Sequence, residues 1–360
     1  MQATTPRGFS ADTEILTRSG WVTFDRLTYL DEVATHSPDG RFEWQHPERI
    51  TWRRYDGPML HFRSQVFDLM VTPEHRMLVY RRQVPGYLPI FREASWFRDH
   101  SGSSKNWRMP LTSQWKGSAP QEIVVPAAAP APGRHHPAPE LHISLETWVR
   151  FTGWFVSEGY VLSAPHLQNV VGIAQSRELH KADIRETLQG VGVSFRENAK
   201  GFEFNHGPLA RYLRATCYTC DEHRAWNKRL PLSVKEYPPE LLREVFATMM
   251  LGDGHVEKTG LRRYLTTSKA LADDAVEILQ KMGSQGWYDW TDPEHVSLIE
   301  GRKVGKRRTQ YRVTERPGTG SAVPKPHEVT YSGSVHCLSV PNCAVYVRRN
   351  GRTAWAAPGQ

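Results

Sequence analysis

The sequence predicts an α+β fold in two parts, an all-β domain interrupted by an inserted α+β module. Three observations predict it. A Pro- and Ala-rich stretch, "GSAPQEIVVPAAAPAPGRHHPAPE", lacks helical periodicity and reads as an extended linker over 117–140. Strand-like text precedes it and returns over the last residues of the chain. Between them helical and strand patterns alternate, and one helix-ending motif occurs twice. The expected boundaries are a β-rich segment over 8–116, the linker over 117–140, the module over 141–315 and a β-rich return over 325–360.

The elements follow from local chemistry. "TEILTRSGWVTFDRL" and "GPMLHFRSQVFDLMVTPEHRMLVYRR" are short runs rich in β-branched and aromatic residues, broken by Gly, Pro and Asp, which is strand and turn text. "ELHKADIRETLQGVGV" and "SKALADDAVEILQKMG" place apolar residues at helical spacing and stop at Gly. "HEVTYSGSVHCLSVPNCAVYVRRNG" is strand-like again. A chain of 360 residues exceeds one ordinary domain and suffices for two, each with its own core.

The formal net charge of +8 makes a polyanion such as nucleic acid a plausible partner. No run of 18 or more apolar residues and no charged-then-apolar start is present, so neither a membrane span nor a signal peptide is expected. The expectation is a cytoplasmic protein of phage or bacterial type. Four cysteines, Cys217, Cys220, Cys337 and Cys343, are too few for a disulfide scaffold. "CYTCDEHR" offers Cys217, Cys220 and His223 as part of a zinc site, but a closed site needs four ligands and no second C-x-x-C exists. The simpler reading is two small residues at a helix end.

The repeated motif is "RFTGWFVSEGYV" and "VFATMMLGDGHV". Phe151 aligns with Phe246, Trp154 with Met249, Glu158 with Asp253 and Gly159 with Gly254. Apolar residues at i, i+3 and i+4 put one face of each helix against the other copy. Small residues at Gly153, Ser157 and Gly252 permit a close approach of the two backbones. Glu158 and Asp253 would then meet at a shared end, where two carboxylates repel unless a cation lies between them. A plain Asp-Gly turn would explain "LGDG" alone, but not an acid at the equivalent place in both copies.

With these residues in view, 141–315 resembles the two-repeat LAGLIDADG homing endonucleases. "FTGWFVSEGYV", "NKRLPLSV", "FATMMLGDGHV" and "TTSKALADDAVEILQKMG" carry the resemblance, in that order. It implies two αββαββα repeats with saddle-shaped sheets, a monomer with internal pseudo-twofold symmetry, double-stranded DNA as partner and Mg2+ or Mn2+ as cofactor. It implies Glu158 and Asp253 as metal ligands and Lys228 as a helper at the reaction centre. Strands would read DNA, with Gln175, Arg177, Arg262, Arg263 and Lys269 as candidates, and "EGRKVGKRRTQYR" could follow the backbone.

The outer segments resemble the Hint fold of inteins. "GFSADTEILTRSGW", "VTPEHRMLV" and "VHCLSVPNCAVYVRRNG" carry that resemblance, which implies that Thr72 and His75 activate the N-terminal scissile peptide. Locally, Thr72 also reads as a helix N-cap with Pro at N1. The departures are specific. Gly8 replaces the usual first nucleophile, and Gln360 ends the sequence where an Asn would cyclise, so splicing is expected to be defective. Cys337 occupies the place of an alternative nucleophile, but the Trp that accompanies it in such inteins is here Met77. Two readings result: a metal-dependent DNA endonuclease derived from an intein, or a protein-processing domain that cleaves before Gly8 and carries a decayed nuclease. Both helix-end acids are intact while two splicing positions have changed, which favours the nuclease.

Overall fold

The computed structural model describes residues 7–81, 90–100, 106–128, 137–162, 169–293, 296–299, 302–305, 308–318, 320–342 and 344–357, with side chains for all but 296–305. The described chain is a mixture of many strands with seven helices: α1 (Ala94–Asp99), α2 (Leu145–Glu158), α3 (Glu178–Val191), α4 (Gly207–Thr216), α5 (Leu232–Lys235), α6 (Pro239–Asp253) and α7 (Lys269–Lys281). It divides into two compact units. The first comprises Met1–Trp115, Leu279–Asp289 and Glu315–Gln360, and the second Lys116–Ile278 and Trp290–Thr314.

The first unit is almost entirely β. Strands Phe9–Ser10, His327–Ser339, Arg49–Arg63 and Asp68–Val71 close a barrel, and a six-stranded sheet adds Arg352–Ala356, Ala344–Arg349 and Glu14–Thr17 with its neighbours. Its core is aromatic and β-branched, with Phe9, Phe62, Phe67, Leu69 and Val71 fully buried, as two-faced burial of strands requires. The all-β expectation for this segment needs one correction: α1 buries Ala94 and Phe97 against that core. A second difference is at Leu279–Asp289, which belongs to this unit and not to the second. There the buried Lys281 ammonium lies 4.5 Å from the Trp115 ring centre and 4.9 Å from that of Trp44, so aromatic faces take the place of water around the charge.

In the second unit the two motif copies head two sheets of the same path. Strands Gly159–Val161, Val170–Ala174 and Gly201–Asn205 lie in that order, with Phe195–Asn198 fourth, and so do Gly254–Val256, Arg262–Thr266 and Gln310–Arg316. Each pair of leading strands starts alike, Gly159 opposite Ile173 and Gly254 opposite Tyr264. Helix α3 stops where Gly192 takes φ +81°, and the turn after α7 has Gly283 at φ +81°, both left-handed positions that glycine adopts without a Cβ penalty.

The linker reading over 117–140 is corrected in part. Glu122–Val125 forms a strand antiparallel to Leu141–Ser144, because Val125, Leu141 and Ile143 bury together and that burial outweighs the flanking prolines. Residues 129–136 lie outside the described residues. The partner strand runs directly into α2, whose N-cap Ser144 accepts a hydrogen bond from the Thr147 amide at 3.2 Å.

One buried ion cluster fixes α5 to α7. Lys235 Nζ lies 2.6 Å from Glu277 Oε2 and 2.9 Å from Asp274 Oδ1, with all three side chains almost inaccessible. Burial works against the ammonium charge, but the two carboxylates outweigh it and raise the Lys235 pKa. Lys235→Met should lower stability by about 3–5 kcal/mol, since two buried carboxylates lose their counter-charge. Chemical denaturation of both proteins checks this, and an unchanged midpoint would contradict it.

Candidate active site

Helices α2 and α6 pack against each other through positions that admit no larger side chain. A Cβ on Gly153 would stand 2.6 Å from Thr248 Cβ and 2.9 Å from the Val245 carbonyl oxygen, and one on Gly252 would stand 2.6 Å from Ser157 Cβ. Gly153 thus faces Thr248, its own counterpart in the aligned repeat, and Ser157 faces its counterpart Gly252. Reciprocal contacts of that kind arise when two copies meet about an axis between them. Ser157 Oγ donates to the Met249 carbonyl at 3.3 Å, and Arg150 Nε donates to Glu244 Oε1 at 3.0 Å.

Each helix ends on its acid and turns at once into a strand. Gly159 and Gly254 are the C-caps, donating to the carbonyls of Phe155 and Met250. Their φ values of −79° and −92° are ordinary, so the need for glycine is steric. A Cβ would stand 2.5 Å from the Phe155 oxygen in one copy and 2.2 Å from the Met250 oxygen in the other. This answers why each acid is followed by glycine: the chain folds back over its last helical turn.

The two carboxylates share one electrostatic environment. Burial and, after it, the nearby negative charge of Glu158 raise the Asp253 pKa to about 6 against the opposing pull of Lys228. Asp253 is open to solvent on one side, so this burial is the partial loss of hydration at a ledge of protein. Burial also raises the Glu158 pKa, with Lys228 and Arg177 acting the other way. Lys228 is itself buried, and that burial lowers its pKa to about 8. Its Nζ donates to the carbonyls of Phe155 at 3.0 Å and Ser157 at 3.1 Å, capping the C-terminal end of α2. Sequence reasoning missed Tyr264, fully buried with its hydroxyl 3.4 Å from Ser157 Oγ. No motif marks a lone tyrosine in a strand.

The five candidate DNA-reading residues divide. Gln175 Oε1 accepts from the Ser176 and Arg177 amides at 3.0 Å. The Arg262 guanidinium lies 5.0 Å from the Phe246 ring centre, Arg263 pairs with Glu257 at 3.0 Å and Lys269 with Asp273 at 2.9 Å. Arg177 is the one of the five whose side chain has no hydrogen-bond or ion-pair partner among the described residues, and it is exposed. In the basic run near 300–312, side chains up to 307 lie outside the described residues, and Arg308 stacks 3.3 Å from the Trp226 ring centre. Cys217 caps α4 and is buried, which pushes its thiol up to about 12. Among the described residues no group of three or more His, Cys, Asp and Glu side chains is placed to hold a metal.

In the first unit, four residues named from sequence come together. The Gly8 amide donates to Thr72 Oγ1 at 3.1 Å, and the Thr72 amide donates back to the Gly8 carbonyl at 3.1 Å. The pairing of Phe9 with His336 puts Cys337 across from Gly8 in the same register. His75 is fully buried against Phe9, with neither ring nitrogen hydrogen-bonded among the described residues, and burial lowers its pKa to about 3. The N-cap reading of Thr72 is corrected: "TPEH" forms a turn closed by the His75 amide on the Thr72 carbonyl at 3.0 Å, because strand Arg76–Arg81 must start directly after it. Gln360 lies outside the described residues.

No family model matches the chain. Three curated relatives are each 24% identical to it. One is the DNA-directed RNA polymerase subunit beta C-terminal section of Stigeoclonium helveticum, matched over 96% of this chain and 36% of the relative. The second is the ATP-dependent Clp protease proteolytic subunit of Chlamydomonas moewusii, over 78% and 28%. The third is the DNA polymerase II large subunit of Thermococcus kodakarensis, over 44% and 9%. The chain therefore spans about a third or less of the length of these relatives. Among solved structures, it is similar at TM-score 0.33 and 10% identity to the AceL NrdHF class 3 split intein, covering 99% of this chain and all of that one. It is similar at TM-score 0.34 and 14% identity to the homing endonuclease I-DmoI, covering 48% and 88%.

The raised Asp253 pKa sets a pH dependence of stability. Between the ordinary value of 3.8 and about 6 the folded protein holds a proton that the unfolded chain has released. The contribution is thus fully present below the ordinary value and is lost as pH rises through about 6. In chelator, Asp253→Asn should melt at a higher temperature than wild type at pH 7 and should lose less stability between pH 5 and pH 7. Parallel melting curves for the two proteins across that range would show that the carboxylates do not strain each other.

Proposed function

We propose that this chain is a metal-dependent endonuclease acting on double-stranded DNA, and that its β-rich unit is a Hint-like remnant no longer able to splice. One observation carries the reading: two acids from two repeats stand at paired helix ends, each with a raised pKa and no acid-paired arginine of its own. Two hard carboxylates with open solvent access suit Mg2+ or Mn2+, which complete their shell with water and substrate phosphate and need no third protein ligand. The donor set therefore fits the ion.

Glu158 and Asp253 would hold the metal. A bound divalent ion supplies charge neutralisation at the phosphate and an acidified water. Lys228 works from behind the end of α2, fixing its terminal carbonyls with two N–H groups and leaving the third to balance the carboxylates. Arg177 would contribute positive charge on the Glu158 side, where it already acts against the rise of the Glu158 pKa. DNA as substrate is supported by the net charge of +8 and by the exposed, unpaired Arg177.

The relatives support a mobile element over a host activity. A polymerase section, a protease subunit and a second polymerase have no common reaction, yet each shares a segment with this chain. A segment separable from all three activities is the simplest common content. A cytoplasmic location and a monomeric state belong to the same proposal.

The test is cleavage of genomic DNA from close relatives lacking this gene, with Mg2+ and with chelator, mapping the ends by sequencing. A single Mg2+-dependent double-strand break is expected. Glu158→Gln and Asp253→Asn should each reduce cutting on the order of a thousandfold while leaving DNA binding in place. Full cutting by both variants would remove the metal assignment. For the remnant, intact mass after incubation with thiol should show no species beginning at Gly8. Release of the first seven residues, and its loss in Cys337→Ala, would establish a surviving N-terminal cleavage instead.

A further inference from the structure

The first unit carries an exposed cationic edge that neither its barrel nor the paired acids account for. Strand Arg49–Arg63 pairs with His327–Ser339 from Arg49 to His61, but on its other side only Leu60–Arg63 is paired, with Asp68–Val71. Residues 49–57 thus form a strand edge with no paired strand on that side among the described residues. Arg49, Arg53 and Arg54 project from it into solvent, and none has a side-chain partner among the described residues. Trp52, 69% exposed and opposite His336 across the ribbon, shares a face with Arg54, while Arg49 and Arg53 stand on the other face, as side chains alternate along a strand.

Charge on an open edge ordinarily discourages strand-to-strand aggregation. That reason explains the arginines but not the indole, since an exposed tryptophan on the same edge favours the association that the charges would prevent. Tyr29, itself 56% exposed, continues the aromatic surface by accepting a hydrogen bond from the Ile50 amide at 3.2 Å. The acids on the two strands are Asp56, and Glu328, which already pairs with Arg98 at 3.0 Å; Glu48 stands just before the first. The arginines therefore remain available to an outside anion. Unpaired guanidinium groups on both faces of the edge, with an exposed indole on the face of Arg54, match phosphates and a flat sugar or base face.

We propose that the Arg49–Arg54 edge is a double-stranded DNA contact belonging to the first unit itself. The inference rests on the DNA reading above and extends it: the β-rich unit contributes affinity through phosphates, without reading sequence.

Full-length protein in chelator would be titrated onto a labelled duplex of arbitrary sequence over a range of salt. The variants are the triple Arg49→Ala, Arg53→Ala, Arg54→Ala and the single Trp52→Ala, with thermal melts confirming that both fold. The triple variant should bind about tenfold or more weakly at low salt, with the log–log salt slope smaller by about two to three. Trp52→Ala should weaken binding with the slope unchanged. If wild type binds no duplex, the DNA reading itself fails. If wild type binds and the triple variant matches it in affinity and slope, this edge is not a DNA contact while the DNA reading stands. Unchanged duplex binding with loss of binding to vesicles of anionic phospholipid would assign the edge to a membrane surface and overturn the proposal.

Discussion

The contact on which the candidate site depends is the approach of α2 to α6 through glycine. Where Gly153 meets Thr248 and Gly252 meets Ser157, one added methyl group has no space. Packing at that distance brings the two helix ends together, and the ends carry Glu158 and Asp253. Lost hydration then raises both carboxyl pKa values, and the charge of Glu158 adds to the rise at Asp253. The fold holds two like charges in proximity, a state that a cation relieves. The glycines that follow the acids extend the same logic, because only they let the chain leave each helix over its own last carbonyl.

Lys228 ties the end of α2 to the charge of the carboxylate pair through a single side chain. Its ammonium is buried, which lowers its pKa, and two backbone carbonyls of α2 hold it in place. A lysine used in this way cannot swing freely toward a ligand. Its charge instead becomes a fixed feature of the carboxylate environment, coupled to the position of the helix end. The buried cluster of Lys235 with Asp274 and Glu277 shows the contrasting case, in which the charges satisfy one another and hold structure alone.

In the β-rich unit Gly8, Thr72, His75 and Cys337 lie close together. Thr72 still binds the amide of residue 8, and His75 lies buried beside Phe9. Yet residue 8 is glycine, and a Cβ there would stand 2.8 Å from the His336 carbonyl oxygen. Close backbone packing thus leaves no room for a side chain at that position.

The sequence by itself determined the two copies of the helix motif, the acid at the same place in each, the small residues between them and the β character of the outer segments. These are properties of local periodicity and residue type, which the chain states position by position. It also named Gly8, Thr72, His75 and Cys337, which the fold brings together. Tertiary structure decided the rest. It turned "EIVV" from linker into a strand, because only the partner Leu141–Ser144 supplies the apolar face on which Val125 buries. It paired Arg263 and Lys269 with acids and left the Arg177 side chain without a hydrogen-bond or ion-pair partner among the described residues, and it exposed Trp52 on an unpaired edge, which no pattern in "TWRRYDG" distinguishes from a buried strand. Burial, pairing and pKa are properties of the neighbours a residue acquires, and those neighbours come from segments distant in the chain.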